Sequence, residues 1–323
     1  MTRLRQALAR WLARIRPWLD RWLPPAVPSG PASAAHPEPI GPLELLERVT
    51  LTDGVCRALF TQFREHRATD RGLEETGWVL MGLRRETDAL VLATLPAGAG
   101  REAGEAHVRF NADAQAVASR ILRQADRRLT ILGIVHTHPG SLRRPSGGDF
   151  EGDRRWVPLL RGQQGVFGIG TADAPADDLA DWVAIQPKEH VQYHQGLRFS
   201  WYALATGDAD YRSLPVVLTL GPDLALPLWP LWPVIEMHAA RIERLAQSLA
   251  RLRFDLPEDD ETALQLSVPG PNQSRLAARL SPDRVSYGWL NGGAWRRIDL
   301  AEPAVDRGLF LLLAQTTGQT PVD

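Results

Sequence analysis

Cysteine is almost absent from this 323-residue chain, and the single cysteine, Cys56, cannot form an internal disulfide bond. A structural zinc site made of four cysteines is therefore excluded. A lone cysteine favours a reducing, cytoplasmic location. The sequence also lacks an uninterrupted apolar run of the roughly 18–20 residues that a membrane-spanning helix requires.

A surplus of either charge is also absent. The chain has 37 Lys and Arg residues against 38 Asp and Glu residues, which gives a formal net charge of −1. Because proteins that bind nucleic acid through a broad surface are usually basic overall, we expect no nucleic-acid partner. The hydrophobic fraction of 44% is typical of globular proteins and excludes disorder of the whole chain, whose length predicts about two domains.

Residues 1–23 differ from the rest of the chain because six arginines accompany one acid, Asp20. Apolar residues recur every three or four positions from Leu4 to Trp22, which predicts an amphipathic helix. Such a helix suits either peripheral contact with the anionic inner face of the membrane or docking on protein. Residues 24–42 contain seven prolines and predict a linker.

The pattern between residues 43 and 190 alternates between helix and strand. Residues 112–128 predict a helix with Asn111 as its N-cap, and residues 129–138 are a short apolar run of the buried-strand type. We therefore expect an α/β or α+β domain, built around one sheet, over residues 43–190.

Residues 191–323 predict a separate α+β region. Its strongest elements are a helix near 233–253 and a hairpin that turns at Asn291, Gly292 and Gly293. We recognise no family resemblance in this region, and its sequence leaves open whether it binds substrate, covers a site or dimerises.

The chemically informative segment begins with His136 and His138 at the end of a predicted strand. Alternation along a strand directs both imidazoles to the same face. Asp149 follows across a loop rich in Gly, Pro and Ser, and two imidazoles with one carboxylate are a ligand set of catalytic zinc. Ser146 lies three residues before Asp149, and Glu75 lies at the start of another predicted strand, where a carboxylate could serve as a general base.

These residues resemble the JAMM (MPN+) metalloprotease signature, which is a glutamate followed by H-x-H-P, six residues and S-x-x-D. Glu75, His136-x-His138-Pro139 and Ser146-x-x-Asp149 fit it without a gap. The resemblance implies a cytidine-deaminase-like curved β-sheet flanked by helices. It covers roughly residues 43–190.

The resemblance also implies a role for each residue of the motif. His136, His138 and Asp149 match the ligands of one Zn²⁺ per chain. Glu75, rather than its neighbour Glu74, matches the glutamate that moves the proton of the attacking water, and Ser146 matches the serine that stabilises the oxyanion. Two further acids of the loop, Glu151 and Asp153, are expected on its solvent face.

JAMM enzymes cleave isopeptide or peptide bonds after the C-termini of ubiquitin-like proteins. The resemblance therefore implies a bacterial isopeptidase that matures or removes a ubiquitin-like protein, with E1-like and E2-like partners and a link to antiphage defence. Three alternatives stay open: a peptidase acting on sulfur-carrier protein adducts, a non-catalytic interaction hub of the conjugation complex, and an unrelated zinc hydrolase of small amides.

Overall fold

The computed structural model describes residues 43–100, 102–104, 108–175, 185–257, 262–271 and 273–317. The predicted helix at 1–23 and linker at 24–42 lie outside these residues. The described residues form two compact units, with the division between Pro227 and Leu228. None of the described helices is long and apolar enough to cross a membrane.

The first unit, residues 43–227, is a mixed α/β structure. Its helices are α1 (Asp53–Arg67), α2 (Ala112–Ala125) and α3 (Gly147–Trp156). Its strands are β1 (Arg48–Thr52), β2 (Gly77–Arg84), β3 (Asp88–Pro96), β4 (Glu102–Ala103), β5 (Val108–Arg109), β6 (Thr130–Thr137), β7 (Gln164–Thr171), β8 (Ile185–Lys188), β9 (Val191–His194), β10 (Leu197–Ala205), β11 (Arg212–Ser213) and β12 (Val216–Thr219).

Ten of these strands form one curved sheet in the order β12-β1-β3-β2-β6-β7-β10-β9-β8, with β11 also paired to β10. Most neighbours are antiparallel, but β6 pairs in parallel with β7, and β1 pairs in parallel with β3 and β12. Parallel strands need a crossover connection, and here the crossover contains α3. This connection begins at the carboxyl end of β6 and places the start of α3 near that end of the strand. Ligands commonly bind at the carboxyl ends of strands in α/β proteins.

The two faces of the sheet are covered by different helices. On β10, Phe199 and Trp201 belong to the core cluster that contains Phe60 of α1, and the rings of Phe60 and Phe199 are 4.9 Å apart. The next residue, Tyr202, belongs to a second cluster that contains Phe150 of α3. Alternation along the strand therefore divides the core into an α1 side and an α3 side.

The helix predicted over residues 112–128 is present as α2 and ends three residues earlier. Asn111 is its N-cap, as predicted, and its side chain accepts a hydrogen bond from the backbone N–H of Ala114 at 3.1 Å. The predicted fold class, a curved sheet with flanking helices, is confirmed for this unit.

The predicted domain boundary at residue 190 differs from the structure. Residues 198–205 of β10 pair with the whole of β7, and β12 pairs with β1 in parallel, so residues 191–219 complete the first sheet. The first unit continues to residue 227 for this reason. Sequence patterns identify strands but not their distant partners, and the pairing partners here lie far away in the chain.

The second unit is described over residues 228–317. It contains α4 (Trp232–Ser248) and α5 (Val305–Thr317), and a five-stranded antiparallel sheet formed by β13 (Arg253–Asp255), β14 (Leu264–Pro269), β15 (Arg275–Ser281), β16 (Arg284–Asn291) and β17 (Ala294–Ile298). The strands follow one another in chain order. The predicted hairpin turn is confirmed: Asn291 pairs with Ala294, and Gly292 and Gly293 have positive φ angles.

Candidate metal centre

His136 and His138 lie where β6 ends. His136 is paired in the sheet with Ile169 of β7, and the backbone N–H of His138 donates to the carbonyl of Gly170 at 2.8 Å. Pro139 follows directly and has no N–H with which to extend the ladder. Both histidine side chains are about 95% buried on the α3 side of the sheet.

An irregularity in β6 determines which residue faces Glu75. The pairing of β2 with β6 shifts by one residue between Leu80 and Met81, after which Gly77 pairs with His136. Continued by two residues, this register places Glu75 opposite His138, and residues on opposite positions share a face of the sheet. Without the shift, the residue opposite Glu75 would be Thr137, whose side chain points to the other face.

Asp149 is presented by the first turn of α3. Ser146 is the N-cap of this helix: its Oγ accepts from the N–H of Asp149 at 3.1 Å, while its own N–H donates to Asp149 Oδ2 at 2.6 Å. This reciprocal pair is a capping box, which fixes the position of the carboxylate relative to the loop. The hydrogen bond uses a lone pair of the serine oxygen and leaves the hydroxyl proton for another acceptor.

The three candidate ligands converge within the described part of the chain. The Nε2 atoms of His136 and His138 are 3.1 Å apart, and they lie 3.2 and 3.4 Å from the two carboxylate oxygens of Asp149. All three ligand atoms are within 4.8 Å of one another. The geometry supports a metal site at this position.

The hydrogen bonds of His138 also suit a metal ligand. Its Nδ1 donates to the carbonyl of Leu142 at 2.7 Å, so Nε2 of the neutral ring has a free lone pair that faces the cluster. Burial lowers the pKa of His138, but hydrogen bonds to Asp149 and to Leu142 outweigh it and raise the pKa above its ordinary value.

The pKa of Asp149 is shifted in the opposite direction. Burial alone would raise the pKa of its carboxyl group, but hydrogen bonds from His136, His138 and the N–H of Ser146 hold the pKa well below its usual range. The carboxylate is therefore ionised at physiological pH and supplies the negative charge that a divalent cation requires.

The neighbouring glutamates Glu74 and Glu75 occupy different environments. Glu75 is 4% exposed, and its N–H donates to the carbonyl of Gly104 at 2.8 Å. Glu74 forms a 2.7 Å ion pair with Arg71, and about a third of its side chain is exposed. Of the two, only Glu75 is buried, and it lies close enough to His138 for its charge to favour the protonated form of that ring.

The expectation that Asp153 faces solvent is wrong, because this residue is 5% exposed. It lies one helical turn after Asp149. Its oxygens accept hydrogen bonds from Tyr211 Oη at 2.7 Å and from Trp156 Nε1 at 3.1 Å. Burial raises the pKa of Asp153 to about 6. The i, i+4 spacing from Asp149 was the available sequence signal, since it places both acids on one face of a helix.

Residues 57–184 match the family described as prokaryotic homologs of the JAB domain. A search of curated proteins finds no match. Among solved structures, the chain is similar to protein DSY2949 from Desulfitobacterium hafniense, determined in solution, with 17% identity and a TM-score of 0.36 over 54% of this chain and 94% of that one. This similarity is too low to indicate a function. The family match includes all five residues of the motif, and residues 57–184 therefore belong to a domain of the JAB family.

Proposed function

We propose that the chain is a zinc-dependent isopeptidase or peptidase that cleaves after the C-terminus of a ubiquitin-like protein. In this proposal it matures the precursor of that protein or removes it from conjugates, in a bacterial conjugation system with E1-like and E2-like partners and a role in antiphage defence. The observation that carries the proposal is the convergence of His136, His138 and Asp149 within 4.8 Å. The substrate class comes from the resemblance of the motif to JAMM enzymes.

The donor set suits Zn²⁺. Two imidazole nitrogens and one carboxylate leave a fourth position of a tetrahedral site for water or substrate, which is typical of catalytic zinc. When bound, zinc would supply a Lewis acid that acidifies water and polarises a carbonyl group. The protein supplies the arrangement: His138 is oriented by Leu142, and Asp149 is oriented by the capping box with Ser146.

Two further side chains would move or stabilise charge. Glu75, which lies opposite His138 when the register of β2 and β6 is extended beyond Gly77, would accept a proton from the attacking water and deliver it to the departing amine. The capping hydrogen bond does not use the hydroxyl proton of Ser146, so this hydroxyl would donate a hydrogen bond to the developing oxyanion. Burial of both histidines limits competing hydrogen bonds from water.

The test compares two adjacent glutamates in the full chain. The probe is the ubiquitin-like protein encoded nearest to this gene, fused through its C-terminus to a reporter. We expect zinc-loaded wild type and Glu74→Gln to cleave the probe after the C-terminus of the ubiquitin-like protein. Glu75→Gln and chelator-treated wild type should not cleave it, although Glu75→Gln should keep its zinc.

Other outcomes would redirect the assignment. If wild type binds zinc but leaves this fusion intact, the substrate class is wrong, and a fusion to a sulfur-carrier protein is the next probe. If Glu75→Gln cleaves as fast as wild type, the glutamate has no role in proton transfer. A cell-based assay in which Glu75→Gln and metal-free variants work as well as wild type would favour the interaction hub.

A further inference from the structure

Two tyrosines contact the segments that carry the candidate metal ligands. Both lie in the first unit, after the residues that match the family. We propose that Tyr202 and Tyr211 are positioning residues of this centre, and that each holds a segment carrying one of its ligands. The inference rests on the proposed function only in requiring that the centre binds zinc. It predicts that the matched segment, residues 57–184, is incomplete as a metal site without residues 202–211.

Tyr211 holds the helix that presents Asp149. Its hydroxyl donates to Asp153 Oδ2 at 2.7 Å, and the other oxygen of Asp153 accepts from Trp156 Nε1 at 3.1 Å. Because Asp153 lies one turn after Asp149, the bond to Tyr211 fixes the rotation of α3 about its axis. The Tyr211 ring also makes an edge-on contact with Phe150, with centroids 5.9 Å apart.

Tyr202 holds the loop that orients His138. Its hydroxyl donates to the carbonyl of Arg143 at 2.9 Å. The preceding carbonyl, that of Leu142, accepts the 2.7 Å hydrogen bond from His138 Nδ1. Two successive carbonyls are therefore fixed, one by the ligand and the other by Tyr202. Outer hydrogen bonds of this kind orient ligand rings and commonly change metal affinity by about 10–100-fold.

The two tyrosines lie close to each other, although they hold different segments. Tyr202 lies on β10, and Ser213 of β11 pairs with it in the sheet. Tyr211 immediately precedes β11, and the two rings are 6.3 Å apart. Tyr202 is 5% exposed and contacts the cluster on the α3 side of the sheet. The Tyr202 hydroxyl binds the carbonyl that follows the one bound by His138, and the Tyr211 hydroxyl binds an acid one helical turn after Asp149. Both tyrosines lie more than 50 residues after the ligands in the sequence.

The experiment measures zinc affinity of the full chain by competition with a chromogenic chelator, well below the unfolding temperature. The variants are Tyr202→Phe, Tyr211→Phe and, as a matched control, Tyr193→Phe, which removes a hydroxyl that accepts a 3.4 Å hydrogen bond from Arg198 on the same sheet. We expect each of the first two substitutions to weaken zinc binding by about tenfold. The control should change it by less than about twofold.

A double-mutant cycle tests the route of the effect. If Tyr211 acts through Asp153, then Tyr211→Phe and Asp153→Asn together should weaken zinc binding no more than the stronger of the two alone. Tyr202→Phe should add to Tyr211→Phe, because they hold different segments. A purely structural role would lower the unfolding temperature of the metal-free variants and leave the zinc dissociation constant unchanged; that result would overturn the inference.

The test separates this inference from the proposed function. Wild type that binds zinc but does not cleave the probe, with weaker binding in both Phe variants, would remove the proposed reaction and leave the positioning role standing. Wild type that cleaves the probe, with equal zinc affinity in all variants, would do the reverse. Wild type that binds no zinc would overturn both.

Discussion

Asp149, whose side chain is 19% exposed, and the more deeply buried Asp223 are carboxylates of the same unit that differ in the partners around them. Asp223 is 3% exposed and accepts hydrogen bonds from the N–H groups of Thr94 and Ala225 and from the Thr94 hydroxyl. These neutral donors tie the chain after β12 to β3. Asp149 accepts one backbone hydrogen bond, and both of its oxygens also face imidazole nitrogens.

The protonation of the two carboxyl groups differs accordingly. Burial raises the pKa of Asp223 to about 7, which its neutral donors oppose only in part. The histidines lower the pKa of Asp149 well below its usual range. Burial therefore does not identify a functional acid. Asp149 differs because its neighbours are two imidazoles that could bind a metal ion together with it, whereas the donors around Asp223 are N–H and O–H groups that could not.

The largest expected effect is the loss of activity when a ligand is removed. On the proposed function, His138→Ala should lower the cleavage rate of the full chain by more than about a thousandfold, because the metal site loses one of three ligands. Asp223→Asn, which alters the other buried carboxyl group, should change the rate by less than about threefold. Equal losses of cleavage rate in the two variants would mean that the ligand cluster is no more important for activity than the buried Asp223.

Ser146 sharpens the comparison because it has a capping role and a proposed catalytic role. Ser146→Ala and Asn111→Ala each remove a helix N-cap, so each should lower the free energy of unfolding by about 1 kcal/mol. Only Ser146→Ala should also lower kcat, by about a hundredfold, because it removes an oxyanion donor. Urea unfolding and steady-state kinetics measure the two effects separately. An unchanged kcat in Ser146→Ala would leave Ser146 with the capping role alone.

Much of this site was predictable because its signals are local. The alternation that directs His136 and His138 to one face, and the S-x-x-D spacing of a capping box, each depend on fewer than five residues. The same holds for the Asn111 cap and for the turn at Gly292 and Gly293. Such features need no knowledge of distant partners.

Other features depend on pairing between distant segments and could not be predicted. The shift between Leu80 and Met81 sets the register that places Glu75 opposite His138 when it is extended beyond Gly77, but the shift exists only in the pairing of β2 with β6. A close approach accompanies it: a Cβ at Gly133 would lie 1.7 Å from the carbonyl oxygen of Val166 on β7. Tyr202 and Tyr211 were missed for the same reason, because their targets lie on α3 and on the loop before it.

Zinc should stabilise the ligand cluster and leave the Asp223 region unaffected. A ligand present at about 100 times its dissociation constant stabilises the native state by about 2.7 kcal/mol, provided that it does not bind the unfolded chain. We therefore expect zinc to raise the unfolding temperature of wild type and of Asp223→Asn equally, with little effect on His138→Ala. Calorimetric scans with and without chelator measure this. A full zinc response in His138→Ala would show that the metal binds elsewhere.

The smallest expected effect concerns pH. Because the folded pKa of Asp223 is about 7, against roughly 3.9 in an unfolded chain, the native state holds the extra proton between these values. Stability should therefore fall as pH rises from about 4 to 7, at up to about 1.4 kcal/mol per pH unit, and this contribution should be constant above that range. Asn at position 223 stays neutral and keeps an oxygen for the N–H groups of Thr94 and Ala225.

Urea unfolding of wild type and Asp223→Asn at pH 5, 6, 7 and 8 isolates this contribution. Asp153, whose pKa is about 6, titrates in both proteins, so its effect cancels in the difference. The free energy of unfolding of the variant minus that of wild type should increase as pH rises to about 7 and stay constant above that pH. Parallel curves would mean that Asp223 stays ionised when buried. In that case the neutral donors would stabilise the charge of Asp223 as effectively as the histidines stabilise that of Asp149. The two acids would then differ only in whether their neighbours could bind a metal ion.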